Sequence, residues 1–123
     1  MRLWHQELLP FLPRQQLLGQ HRECAALRGK GWGRPHTTVN YVFHYSPYKL
    51  YQYHLLVMQE MQKRGYQPDA KWFETDYRGK HHPVYEQLIP VTLETPIYPE
   101  HTKAYREECL ENLAEKGIIL EIA

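Results

Sequence analysis

The stretch from Ser46 to Gly65 constrains the fold most strongly, because it specifies a helix together with both of its ends. Ser46 can accept a hydrogen bond from a first-turn amide, and Pro47 suits that turn because its φ angle is already helical. Gly65 stands where glycines commonly end helices. Apolar residues recur at helical spacing along the stretch: Leu50, Tyr51, Val57, Met58 and Met61. A helix with one such stripe has to bury it against other elements.

Two further segments have the same spacing. One covers about residues 14–28 and is closed by Gly29, where we expect glycine in the left-handed conformation. The other covers about residues 100–117, and its apolar side carries Tyr105, Cys109 and Leu113. The sequence therefore predicts an all-α fold, a single compact domain over residues 1–123 with three main helices and long, irregular, aromatic-rich connections. In one connection, the piece "TTVNYVF" suits either a strand or an irregular buried segment.

The composition is that of a soluble globular protein, with 42% apolar and 24% charged residues. No apolar run approaches the ~20 residues that cross a bilayer, and the first ten residues lack the apolar core of a signal peptide. We therefore expect a cytoplasmic protein without a membrane partner. Cys24 and Cys109 have no close-spaced cysteine partner, and we expect both to be buried free thiols.

Positive charge is concentrated near the N-terminus. Residues 1–40 carry six basic and two acidic groups, whereas residues 41–100 carry six and seven and residues 101–123 carry three and five. The N-terminal third is therefore the best candidate to face a phosphate backbone. Within it, Trp32 lies between glycines and close to Lys30 and Arg34, which suits insertion at nucleic acid as well as simple packing.

Eight histidines raise the question of a metal site. Metal ligands have to converge at ~2.0 to 2.3 Å, but the closest pair here, His81 and His82, is merely adjacent and matches no recognised spacing. We expect neither a metal nor another cofactor. His21 and His54 fall within apolar helical stripes, where partly buried and hydrogen-bonded histidines are common.

Glu23 is the most unusual polar residue of the first predicted helix. At helical spacing it lies near Gly19 and Ala26 and away from the apolar stripe. A surface carboxylate paired with Arg22 is one explanation. However, glycine inside a helix costs about 1 kcal/mol relative to alanine, which favours a second explanation, that another group approaches the backbone beside Glu23.

The order of several short motifs is informative. A short N-terminal lead precedes "LLGQHRE" with Arg22 and Glu23, an aromatic segment leads into a helix ending in "KRGY", and "YRGK" and "YPEH" follow. Together they resemble the pyrimidine-dimer DNA glycosylases of the phage endonuclease V type, over most of residues 1–117. The resemblance implies a metal-independent enzyme that binds damaged double-stranded DNA, removes a base at a cyclobutane pyrimidine dimer or related lesion, and cleaves the backbone as an AP lyase.

The resemblance also implies the catalytic groups. In the family an N-terminal α-amine attacks C1′ of the sugar and forms a Schiff base, while a glutamate on the first helix handles protons. These roles correspond to Met1, at the start of an arm over residues 1–13, and to Glu23. An α-amine has a pKa of about 7.7 to 8.0, so part of it is unprotonated at neutral pH. Because the bulky Arg2 follows Met1, we expect Met1 to be retained.

The predicted DNA-binding residues are Arg2, Arg14, His21, Arg22, Arg28, Lys30, Trp32 and Arg34. Three departures from the family pattern are Arg2, where the family has a small residue, the alanine at position 26, where the family has a basic residue, and the ending "GIILEIA", where the phage-type proteins have an aromatic, basic tail. We expect a monomer that acts at the nucleoid without an obligate protein partner. A non-catalytic DNA-binding module and a metal-dependent nuclease are the alternatives.

Overall fold

The computed structural model describes residues 2–29 and 39–122, and within them the chain is helical without any strand. The fold consists of α1 (Arg14–Arg28), α2 (Pro47–Lys63) and α3 (Lys103–Glu115). Short 3-10 turns cover Gln6–Phe11, Asn40–His44 and Ala70–Phe73. This confirms the all-α prediction for a single compact domain, and the part of "TTVNYVF" that the structure describes is a turn rather than a strand. None of the described helices is long and apolar enough to cross a membrane.

Local chemistry sets most of the helix ends. The Ser46 hydroxyl accepts a hydrogen bond from the Tyr48 amide at 3.2 Å, as expected of an N-cap. Thr102 caps α3 in the same way, so this helix begins at Lys103 rather than near residue 100. At the other ends of α2 and α3, Gly65 and Gly117 have φ angles of 89° and 81°, which are rarely open to other residues.

Gly29 ends α1 for a different reason from the one predicted. Its φ is −88°, so the expected left-handed conformation is wrong. A Cβ atom on Gly29 would instead lie 3.0 Å from both the Arg78 carbonyl oxygen and a ring carbon of His82. Glycine is required at this position because the chain around residues 78–82 packs directly against the end of α1.

The core lies between the three helices and includes the N-terminal arm. The buried face of α2 is largely the predicted stripe, since Leu50, Val57, Met58 and Met61 are all buried. The two cysteines, on α1 and α3, are buried free thiols, as predicted.

Side chains from all three helices bond the backbone of the arm. The Trp4 amide donates to Gln20 Oε1 of α1 at 2.6 Å, and the Tyr53 hydroxyl of α2 lies 2.6 Å from the Trp4 carbonyl oxygen. The Tyr105 hydroxyl of α3 donates to the Leu3 carbonyl at 2.6 Å. An extended segment has no internal backbone hydrogen bonds, so these bonds determine where its first residues lie relative to α1.

Candidate active site

A pocket of about 340 Å³ lies where the arm, α1 and the end of α3 meet. Its lining residues are Arg2, Trp4, Gln16, Gly19, Gln20, Glu23, Asn112 and Lys116. Of the four residues from α1, Gly19, Gln20 and Glu23 follow Gln16 by three, four and seven positions, so all four occupy one face of the helix. The volume falls within the roughly 300–1,000 Å³ typical of small-molecule sites.

Glu23 is the chemically distinctive residue of this pocket. Burial raises the pKa of its carboxyl to about 7, and the positive charge of the chain's N-terminus acts in the opposite direction. Its Oε1 atom is buried and has no hydrogen-bond partner in the described part of the chain. A carboxyl with a pKa near 7 can both accept and donate a proton at neutral pH.

Arg2, like Trp4, lines the pocket on the side formed by the arm. Its carbonyl accepts a hydrogen bond from Gln20 Nε2 at 3.1 Å, which ties the start of the arm to α1. Its Nη1 atom is buried without a hydrogen-bond partner among the described residues, and the nearest carboxylate, that of Glu108, is 3.8 Å away. A cationic group that is held in place and has an N–H without a partner among the described residues is suited to bind an anion, and the predicted contact of Arg2 with DNA stays a prediction.

Gly19 leaves space beside the carboxylate. The closest described atom to a Cβ built on Gly19 would be Nη2 of Arg22, at 3.7 Å, which is an ordinary contact distance. Close packing within the described chain therefore does not require glycine there. Gly19 therefore leaves the pocket wall next to Glu23 without a side chain, and the approach of another group at this position stays a prediction.

Asn112 and Lys116 of the α3 region were missed from the sequence. Asn112 and Lys116 are four positions apart, so they lie on the same side of this region. The Nζ atom of Lys116 is 5.2 Å from the centre of the Trp4 ring. The available signal was weak, because the last 23 residues carry net negative charge that hides a single lysine at the pocket.

A second pocket, of about 570 Å³, continues the first toward the start of α1. The two pockets share Gln16 and Lys116, and the second is also lined by Arg14. Arg14 is exposed, and its guanidinium lies over the Tyr66 ring at 5.8 Å. Together the pockets form a groove with Arg2, Lys116 and Arg14 along it.

Other residues predicted to bind DNA have different surroundings. Arg22 is exposed, whereas Arg28 is only 1% exposed and donates to the carbonyls of Trp72 and Glu74 at 2.8 and 2.7 Å. The prediction that Arg28 contacts DNA directly is therefore wrong, because its guanidinium is buried and bonded to carbonyl groups inside the protein.

His21 is half-buried and bonded to His54. The remaining predicted site residues, Met1, Lys30, Trp32 and Arg34, lie outside the described residues. Within residues 2–29 and 39–122, no three His, Cys, Asp or Glu side chains come together as a group that could hold a metal ion.

Comparison with known proteins gives one family. The sequence model of the family described as pyrimidine dimer DNA glycosylase matches residues 1–74, which include the arm, α1 and α2. The match ends before α3 and before the "YRGK" and "YPEH" motifs. Searches of the curated proteins and of the solved structures returned no significant match.

Proposed function

The chain belongs to the pyrimidine dimer DNA glycosylase family of DNA repair enzymes, and we propose that it combines glycosylase and AP lyase activities through the α-amine of Met1 and the carboxyl of Glu23. The observation that carries the proposal is the Glu23 carboxyl, which lines a pocket bordered by Arg2 and has a buried oxygen without a hydrogen-bond partner among the described residues. The proposed enzyme is one domain over residues 1–123 that acts as a monomer on nucleoid DNA.

Chain connectivity supports Met1 as the nucleophile. Consecutive Cα atoms are about 3.8 Å apart, and Arg2, the next residue, both lines the pocket and bonds Gln20 one helical turn from Glu23. The opposing effect of the N-terminal charge on the pKa of Glu23 agrees with this placement. An α-amine also has a pKa more than two units below that of lysine, about 7.7 to 8.0 against about 10.4, so it is the better nucleophile near neutral pH.

The proposed reaction proceeds in two stages. The unprotonated amine forms a bond to C1′ while the bond between C1′ and the base nitrogen breaks, and the base leaves with the electron pair. The sugar ring then opens: the C1′–O4′ bond breaks, the nitrogen lone pair forms the C=N bond of an iminium ion, and O4′ takes up the proton that the attacking amine loses. The Glu23 carboxylate then takes a proton from C2′, the 3′ phosphate leaves, and water hydrolyses the imine to release the amine. Glu23 can serve these proton transfers because its pKa of about 7 lies near the working pH.

The groove supplies the contacts that position DNA. Arg2 and Lys116 flank the Glu23 pocket, and Arg14 continues the positive charge along the surface. An enzyme of this kind has to displace a nucleotide from the stack at a cost of a few kcal/mol, which a damaged pair lowers. We propose that the phosphates next to the lesion lie along this groove, with the exposed Arg22 as a further contact.

Borohydride trapping tests the nucleophile. Incubating the protein with a dimer-containing duplex and borohydride is expected to give a covalent adduct, and peptide mapping is expected to place it on the α-amine of Met1. Protein acetylated selectively at the α-amine is the control and should give no adduct. A folded protein that binds the duplex without forming an adduct would support the non-catalytic DNA-binding module instead, and an adduct on Lys116 would reassign the nucleophile.

Chelator treatment separates this route from the metal-dependent nuclease. The Schiff-base chemistry uses only an amine and a carboxyl, so cleavage in excess EDTA is expected to equal cleavage without it. Cleavage that disappears with EDTA and returns with added Mg²⁺ would support the metal-dependent alternative.

A further inference from the structure

Arg28, His54 and His21 form a hydrogen-bonded chain between α1 and α2. Nη1 of Arg28 lies 3.0 Å from Nδ1 of His54, and Nε2 of His54 lies 2.8 Å from Nδ1 of His21. His21 and Arg28 are seven residues apart and share a face of α1, whereas Glu23 faces the other way. This hydrogen-bonded chain of three side chains is therefore separate from the Glu23 pocket.

The donors and acceptors in this chain have only one consistent arrangement. A guanidinium can donate but cannot accept, so His54 Nδ1 has to be the acceptor. A neutral His54 then carries its proton on Nε2 and donates it to His21 Nδ1. In turn, a neutral His21 has to carry its own proton on Nε2, the ring nitrogen that takes no part in this hydrogen-bonded chain.

Arg28 cannot easily change this arrangement, because its guanidinium is held in place. It donates to the carbonyls of Trp72 and Glu74 and lies 5.4 and 5.1 Å from the centres of the Tyr51 and Trp72 rings. His54 is fully buried between Arg28 and His21. Arg28 and His54, which determine the position of the proton, are therefore both buried away from water, which could otherwise replace their hydrogen bonds.

Both histidines are kept uncharged by their surroundings. Burial and the charge of Arg28 hold the pKa of His54 well below its ordinary value. Burial, Arg22 and Arg28 lower the pKa of His21 as well. At neutral pH His21 is therefore a neutral imidazole with a single N–H.

We propose that Arg28 and His54 are positioning residues that present the Nε2–H of His21 as a neutral hydrogen-bond donor to a phosphate oxygen of bound DNA. This inference rests on the proposed function, because it needs DNA as the ligand. His21 is half-exposed, is next to the exposed Arg22, and belongs to the basic N-terminal third of the chain. A free imidazole is divided between two tautomers, only one of which has its proton on Nε2.

The proton position can be read directly from the wild-type protein. Long-range ¹H–¹⁵N NMR spectra are expected to show His21 and His54 as neutral rings protonated on Nε2. His54→Leu removes the donor, and His21 should then show a mixture of tautomers. His54→Gln is the matched control, since its amide oxygen can accept from Arg28 while its NH₂ group donates to His21. A wild-type His21 protonated on Nδ1, or on both nitrogens at pH 7, would overturn the inference.

The salt dependence of binding tests the neutral donor. His21→Leu is expected to weaken binding to a dimer-containing duplex about ten-fold, as for a lost hydrogen bond to a charged group. The slope of log K against log[salt] should not change, because a neutral side chain releases no counterion. In contrast, Arg22→Gln should reduce that slope by about one.

The His54 variants connect the two measurements. His54→Leu is expected to reproduce part of the loss seen in His21→Leu, and His54→Gln to restore affinity. A His21→Leu protein with unchanged affinity, or with a slope reduced by about one, would contradict the inference. Binding without a trapped adduct would overturn the catalytic proposal alone, since neither NMR nor affinity requires turnover.

Discussion

Glu23 and Arg28 are ionisable residues of the same helix, but Arg28 is buried inside the protein, whereas Glu23 is only partly buried and borders an open pocket. Arg28 donates through Nη1 and Nη2 to two carbonyl groups and a histidine and lies beside two aromatic rings, although its Nε has no hydrogen-bond partner among the described residues. Oε1 of Glu23 is buried without a hydrogen-bond partner in residues 2–29 and 39–122, and the side chain lines an open pocket. Leaving a buried polar group unpaired costs free energy, so proteins rarely do it without a reason. Partners within the protein make Arg28 part of the framework, whereas the position of Glu23 in an open pocket leaves its carboxyl within reach of a ligand.

Glu23→Gln is expected to have the largest effect. Loss of the proton-transfer group should lower the single-turnover rate of cleavage about 10²- to 10⁴-fold, whereas binding should be little changed because the amide has the same shape. A gel assay of strand cleavage and a fluorescence-anisotropy titration measure the two quantities. Cleavage at the wild-type rate would mean that the Glu23 carboxyl has no chemical role.

Arg28→Met should have the next largest effect, on stability. It leaves the carbonyls of Trp72 and Glu74 and Nδ1 of His54 without their donor, and unsatisfied buried groups cost about 1–3 kcal/mol each. We expect the free energy of unfolding in urea to fall by about 3 kcal/mol. The control is Arg22→Met on the exposed side of α1, which should change it by less than about 0.5 kcal/mol. Equal effects of the two substitutions would remove the distinction between framework and surface arginines.

The two glycines of α1 provide a smaller contrast. Gly29→Ala places a Cβ 3.0 Å from the Arg78 carbonyl oxygen, so it should destabilise the protein by about 1–3 kcal/mol. Gly19→Ala meets only ordinary contact distances and should stabilise α1 by about 1 kcal/mol. It should nevertheless lower kcat/KM on a dimer-containing duplex, because the methyl group enters the pocket beside Glu23. Thermal unfolding and steady-state assays check both substitutions, and a Gly19→Ala enzyme of full activity would argue against substrate at that wall.

The pH dependence of stability should show the smallest effect. The pKa of Glu23 is raised from 4.5 to about 7 by folding, so between these values the folded protein binds more protons than the unfolded chain. Its contribution to the free energy of unfolding is present below pH 4.5 and is lost as pH rises through about 7. Solvent screening of a partly exposed group keeps the change modest. Glu23→Gln should lack this pH dependence, so the free energies of unfolding in urea of the two proteins should change differently with pH across this range. Identical pH dependence in both proteins would mean that the carboxyl has an ordinary pKa when folded.

Local patterns were sufficient to predict the helices and one face of the site. The N-cap at Ser46 and the left-handed glycine at position 65 depend on a few neighbouring residues. The four-residue spacing of Gly19 and Glu23 places both residues on one side of α1. Gly29 shows the limit of this reasoning, because its requirement comes from a backbone segment about fifty residues further along the chain.

The sequence by itself determined three helices, their apolar faces and the motifs that identify the family, since these depend on residues close together in the chain. Only the tertiary structure decided which charges remain free for a ligand. Arg28 was predicted to contact DNA, but its partners are 26 to 46 residues away and withdraw it from the surface. Lys116 was unremarkable in an acidic segment, but folding brings it to the Glu23 pocket. Burial and hydrogen-bond satisfaction depend on which distant residues pack together, and a local pattern does not contain that information.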